Sequence, residues 1–175
     1  MILDNSNSGA FGLDGYTLIE LVVVIALISI MLFIALPRFR DNILTDQARK
    51  TSRWIITQAR HLKQQSVREK KDYILHVDME ADKLWISTRE MEDDMLQHAE
   101  NEAYHLSEDV SILDVEFPGK GKISVGQAEI YFYGKGYSDK ALIHLEQDNE
   151  RQFSFLIEPF LPKVKYTEEY SDFEN

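Results

Sequence analysis

The sequence predicts an α+β domain carried behind an apolar N-terminal helix. Three observations point there. A run from Leu18 to Leu36 is strongly apolar and carries one charge, Glu20, and Pro37 closes it. An amphipathic stretch with steps of three and four residues follows. From Asp72 onward the period falls to two, the mark of strands.

Residues 1–15 are small and polar, rich in Gly, Ser and Asn, and read as a processing segment outside the fold. The apolar run comes next. As a helix rising about 1.5 Å per residue, Leu18 to Leu36 is roughly 28 Å long, enough to cross a bilayer core of about 30 Å. Glu20 is the exception within it, because a carboxylate in hydrocarbon costs about 2.5–3.5 kcal/mol. Two readings stand: Glu20 lies near the headgroups and stays wet, or it has a cationic partner on a neighbouring chain. A free α-amino group at the same depth would serve, if the chain began a few residues before Glu20.

The helix is expected to run from Tyr16 to about Lys71, kinked or unwound at Pro37, where a ring without an N–H meets the preceding turn. Beyond the proline, Leu44, Ala48, Thr51, Ile55, Ala59, Leu62 and Ser66 form one narrow stripe, expected to pack on the chain's own domain. Phe39, Ile43 and Trp54 fall elsewhere on the wheel. Phe39 and Ile43 face either lipid or a neighbouring subunit's helix, and Trp54 lies either there or along the edge of the packed domain.

A hairpin is predicted at 73–79 and 83–88, turning at Glu80-Ala81-Asp82. The acidic stretch 89–106 reads as a loop or short surface helix, and its run at 90–102 lacks EF-hand register, so a solvated face is the default reading and a calcium site the lesser alternative. Further strands are expected at 110–117, 128–133, 141–147, 151–158 and 163–167, separated by Pro, Gly and Asn breaks.

Composition narrows the function. The 175 residues suit one domain plus an anchor, and the absence of cysteine removes disulfides, thiol nucleophiles and thiolate metal sites. Net charge is −11, which disfavours nucleic acid as a partner. It is unevenly spread: residues 38–71 hold ten Lys/Arg against three Asp/Glu, and residues 72–175 hold nine against 24. That split suits a basic helix packed on its own acidic domain, or basic stalks beside acidic heads of neighbours in a filament. Nothing reads as an enzyme. His61, His76, His98, His105 and His144 show no metal-ligand spacing, no Ser sits in a nucleophile elbow, and the GKGK at 119–122 lacks P-loop spacing. No metal and no cofactor is expected.

The ordered set Gly15, Tyr16-Thr17-Leu18-Ile19-Glu20, apolar run and Pro37 resembles the class III signal of type IV pilins and pseudopilins. The resemblance implies that a prepilin peptidase cuts the Gly15–Tyr16 bond and methylates Tyr16, where the family usually has Phe. It implies that Glu20 neutralises the methylated amine of an adjacent subunit during assembly. The leader departs from the pattern, carrying Asp4 and Asp14 and no basic residue. Arg38 and Arg40 would by charge alone place the C-terminal side in the cytoplasm. The family orientation is the reverse, and the motif is the more specific guide.

Further along, Ile130-Tyr131-Phe132, Gly136-Tyr137-Ser138 and Ala141 to Leu145 resemble the closing strands of the H-type minor pseudopilins, with Arg151 to Ile157 and Lys163 to Tyr166 as the final hairpin. The implied chain has a leader (1–15), a transmembrane and assembly segment (16–37), an amphipathic helix (38–71) and a periplasmic pilin-like domain of antiparallel sheet (72–175). It implies a subunit of a hetero-oligomeric type II secretion pseudopilus in the inner membrane, with other pseudopilins, prepilin peptidase and an assembly platform as partners. A minor pilin of a type IV pilus is the nearest alternative. An uncleaved, membrane-anchored periplasmic binding protein is the distant one.

Overall fold

The computed structural model describes the backbone of residues 17–173 and the side chains of 17–31 and 47–173. Two compact units are resolved, Met1–Asp41 and Asn42–Asn175. One helix, α1 (Leu18–Glu69), contributes to both. The assignment stays helical across position 37, but the side chains of Pro37, Phe39, Ile43 and Leu44 lie outside the described residues.

In the first unit α1 begins at a cap. Thr17 Oγ1 accepts the Glu20 backbone N–H at 3.3 Å and the Thr17 carbonyl accepts from Leu21 at 3.2 Å. The large apolar side chains from Leu18 to Met31 are exposed on every side of the helix. Ser29, the uncharged polar residue among them, donates its hydroxyl to the Ile25 carbonyl at 2.8 Å and so needs no outside partner. Among the described residues no stretch of helix is long and apolar enough to cross a membrane.

The second unit is built on the rest of α1. Ala48, Thr51, Ile55, Ala59, Leu62 and Ser66 are all buried, so the expected stripe is the face the domain packs on. Its hydroxyls are satisfied locally: Ser66 donates to the Lys63 carbonyl, and Thr51 meets the Tyr104 hydroxyl at 3.2 Å.

Strands β1 (Tyr73–Asp78) and β2 (Lys83–Thr88) form the hairpin. At its turn Asp78 Oδ1 accepts the N–H groups of Glu80 and Ala81, each at 3.0 Å, while Asp82 takes a left-handed conformation. Then come α2 (Asp93–Asn101), β3 (Tyr104–His105), β4 (Val110–Phe117), β5 (Gly121–Ile123), β6 (Gln127–Tyr133), β7 (Tyr137–Ser138), β8 (Ala141–Gln147), β9 (Arg151–Ile157) and β10 (Lys165–Thr167). They form two antiparallel five-stranded sheets, ordered β3-β2-β1-β6-β7 and β10-β9-β8-β4-β5.

One apolar cluster joins α1 to both sheets. Ile55, Ala59 and Leu62 share it with Leu75, Val77, Ile130 and Phe132 of the first sheet and Val115, Ile143, Leu145 and Phe155 of the second. A bulge between Ile112 and Asp114 lets Ile112 and Val115 both face this core despite their odd separation. At the far end of α1 the chain after β6 closes onto the helix. A Cβ at Gly134 would lie 2.7 Å from the Lys70 carbonyl carbon, so only glycine permits that approach.

The seven expected strands are present, with ends within two residues of expectation. The acidic stretch folds as α2, none of whose residues is buried. β3, β5 and β7 were not anticipated, because strands of two or three residues are defined by their neighbours and carry no periodicity of their own.

Ile55 is fully buried where α1 meets the sheets. Ile55→Ala should cost about 2–5 kcal/mol of domain stability, read by equilibrium denaturation of the full chain in detergent. A loss below about 1 kcal/mol would show that α1 is not the packing face.

Candidate functional site

Gly15 and Tyr16 lie outside the described residues. The chain enters view at Thr17, and Glu20 is exposed in the first turn of α1. Thr17-Leu18-Ile19-Glu20 has the capping-box pattern T-x-x-E, and the Thr17 half of the box is formed. Thr17 was missed as a functional residue although the pattern was visible in the sequence. Its consequence is electrostatic. A chain beginning at Tyr16 would place its α-ammonium beside the positive end of the helix dipole, where a carboxylate at Glu20 is the favourable charge. Glu20 therefore has a local reason to be acidic, besides any partner on another chain.

In the domain two of the five histidines are buried, and both sit in polar networks that sequence pattern did not reveal. On the outer face of the second sheet, Asp114, His144 and Ser154 are register partners on β4, β8 and β9. His144 Nδ1 lies 2.7 Å from Asp114 Oδ1. The trio has the composition of a hydrolase triad but not its geometry. His144 Nε2 donates to the Ser171 carbonyl at 2.7 Å, and Ser154 Oγ donates to the Glu169 carbonyl at 2.6 Å. What these groups do is hold the C-terminal segment. Tyr170 stacks on His144 with centroids 4.0 Å apart and donates to Asp114 Oδ2 at 2.7 Å. Lys122 bonds Asp172, which raises the Lys122 pKa through that hydrogen bond first. The segment is a strap across the sheet, with a cleft of about 630 Å³ between Ser171–Phe173 and Leu142, Leu156 and Lys165.

On the outer face of the first sheet, His76 Nε2 meets Ser87 Oγ at 2.7 Å and its ring stacks on Trp85 at 4.8 Å. Lys83 lies 5.1 Å over Trp85 and bonds Glu100 of α2 at 2.8 Å. Trp54 stacks on Tyr104 of β3 with centroids 4.7 Å apart, at the sheet edge, one of the two places its wheel position allowed. Trp54, Trp85, Ile86, Ala103 and Tyr104, with Gln58 and Glu102, line a groove of about 480 Å³.

Residues 14–36 match the model of the prokaryotic N-terminal methylation motif. The motif leads into the long helix of an α+β domain. The fold is that of the minor pseudopilin EpsH from the type II secretion system of Vibrio cholerae. One EpsH structure is 11% identical with a TM-score of 0.53, covering 73% of this chain and 98% of its own. A second is 10% identical with a TM-score of 0.53, covering 72% and 99%. Among curated protein sequences none matches.

Burial lowers the His76 pKa below 6.5, against the opposing pull of Glu129 and Glu100. Above pH 6.5 both folded and unfolded chains hold it neutral and its contribution to stability is complete. As pH falls through the folded pKa, the unfolded chain binds a proton first, so stability declines. Denaturation midpoints between pH 7 and 5 should fall more steeply for the parent than for His76→Gln. Parallel profiles would remove His76 as the source.

Proposed function

We propose that the chain is a minor pseudopilin subunit of the type II secretion pseudopilus, supporting protein secretion across the outer membrane by assembly and not by catalysis. The observation that carries this reading is the methylation motif at 14–36 leading into the spine helix of a domain with the EpsH fold. In this reading prepilin peptidase cleaves Gly15–Tyr16 and methylates Tyr16. The apolar helix then anchors the chain in the inner membrane, with the domain in the periplasm. The exposed side chains from Leu18 to Met31 support it, since they need either hydrocarbon or the helices of neighbouring subunits around them.

Glu20 is the pivot of the transfer between those two surroundings. Paired with the methylated amine of Tyr16 on the adjacent subunit, it offsets much of the cost of holding each charge in an apolar core. Removing Glu20 alone would leave that amine buried without a partner. The partners are therefore other pseudopilins, lifted by an assembly platform in the membrane.

Glu20 also serves the helix start, so two substitutions separate its roles. Glu20→Ala should leave cleavage intact and lower incorporation into sheared pseudopili at least about tenfold, the equivalent of about 1.4 kcal/mol. Thr17→Val, which removes only the cap, should assemble close to the parent level. Normal incorporation of Glu20→Ala, or equal losses in the two variants, would contradict the pairing.

A further inference from the structure

The domain buries the apolar stripe of α1 and leaves the opposite face of the helix to solvent. From Gln47 to Arg68 the sequence carries six Lys/Arg and no Asp/Glu. Arg49, Arg53, Thr57, Arg60 and Gln64 are all exposed, and they step by four, four, three and four residues, so they stand in one row. At about 1.5 Å per residue, Arg49 to Arg60 spans roughly 17 Å. A solvated helix usually interleaves acids with its bases at three and four residues. Here Arg49 and Arg53 form a like-charged i,i+4 pair, which destabilises the helix.

The acidic half of the chain does not neutralise this row. Among the described residues Arg49, Arg53 and Arg60 make no ion pair. Further along α1, Arg68 bonds its neighbour Glu69, and Lys63 bonds the carbonyls of Glu158 and Leu161. The domain's paired carboxylates meet its own cations: Glu100 with Lys83, Asp72 with Arg89, Asp172 with Lys122 and Glu158 with Lys140. The uneven charge of the two halves therefore does not hold helix to domain. At the N-terminal end of the row, Arg49 and Arg151 of β9 line a recess of about 310 Å³ with Gln147, Phe153 and Tyr166. Glu168, the carboxylate on that lining, accepts the Tyr166 hydroxyl at 3.3 Å, which leaves two guanidinium groups against one acid.

We infer that this arginine row is an interface for the acidic face of a different pilin-like subunit. The partner presents Asp or Glu side chains in a row of matching length, and one of them enters the recess between Arg49 and Arg151. Arginine suits that role better than lysine, because its planar fork holds a carboxylate through two parallel hydrogen bonds. Complementary charge across such a contact selects the partner and sets its register. A minor subunit placed beside particular neighbours needs both. Two other anionic surfaces fit less well. A helix lying on a bilayer sets large apolar side chains beside its cations, and this row has Thr57 and Gln64 instead. Duplex DNA is opposed by the chain's net charge of −11. The inference rests on the subunit reading above.

The test is made in cells that carry the whole secretion system. The photo-crosslinking residue p-benzoylphenylalanine replaces Thr57 in the full-length chain, and adducts are recovered from sheared pseudopili. The expected adduct is with a different chain that mass spectrometry shows to begin at a methylated residue, joined beside its Asp or Glu side chains. Arg49→Glu, Arg53→Glu and Arg60→Glu together should cut its yield at least about tenfold. Arg49→Gln with Arg53→Gln, which keeps helix propensity and guards against misfolding, should cut it about threefold. Changing the contacted carboxylates of the partner to lysine should restore the adduct to the charge-reversed chain. The inference is overturned if position 57 gives no more adduct than Val125, an exposed position elsewhere, or if both sets of variants crosslink as well as the parent. It is equally overturned if the row binds phosphatidylglycerol vesicles or a duplex DNA oligomer while no adduct forms in the pseudopili. Parent chain present in sheared pseudopili without the adduct removes this contact alone. Its absence from them removes the subunit reading and the contact with it.

Discussion

The domain depends on a stripe one side chain wide along α1. Ala48, Thr51, Ile55, Ala59, Leu62 and Ser66 are small or slim apart from two aliphatic residues, so two sheets can close on the helix. The hydroxyls in the stripe bond within the helix or to Tyr104, and no polar group on it has to be satisfied from the core. With that contact fixed, the outer faces of both sheets are free for other work. One is crossed by the C-terminal strap over Asp114, His144 and Ser154, and the other carries the His76–Trp85 stack beside α2.

The same helix serves two ends. It begins at the Thr17 cap inside the methylation motif and finishes as the packing face of the domain. Its first turns expose apolar residues all round, whereas its last turns bury one side and offer arginine and lysine on the other. Such a helix cannot be at rest alone in water. It needs hydrocarbon or other helices at one end, and the acidic domain satisfies it at the other. In the proposed reading, that division of labour links the fold to assembly.

Much of this was legible in the sequence, for physical reasons. A stripe stepping by three and four, and strands alternating between Val, Ile, Leu, Phe and polar residues, are consequences of burial that any window of residues carries. The motif from Gly15 to Pro37 was legible because order and spacing, not any single residue, define it. The capping role of Thr17 was equally visible in T-x-x-E and was overlooked behind the larger question of Glu20. What could not be read were contacts that join distant segments. His144 meets Asp114 and Ser171 only because the bulge in β4 and the path of the strap bring them together. The groove at Trp54, Trp85 and Tyr104 is likewise assembled from elements that have no sequence relation, and Lys63 bonds the carbonyls of Glu158 and Leu161 from far earlier in the chain.

The central claim is that this helix is made to acquire a new first residue and then to change its surroundings. The direct measurement is the intact mass of the full-length chain purified from membranes after co-expression with prepilin peptidase. The account predicts loss of residues 1–15 and gain of one methyl group, placed on Tyr16 by fragmentation of the N-terminus. The mass of the whole chain, or of the chain less Met1 alone, would contradict the account at its root.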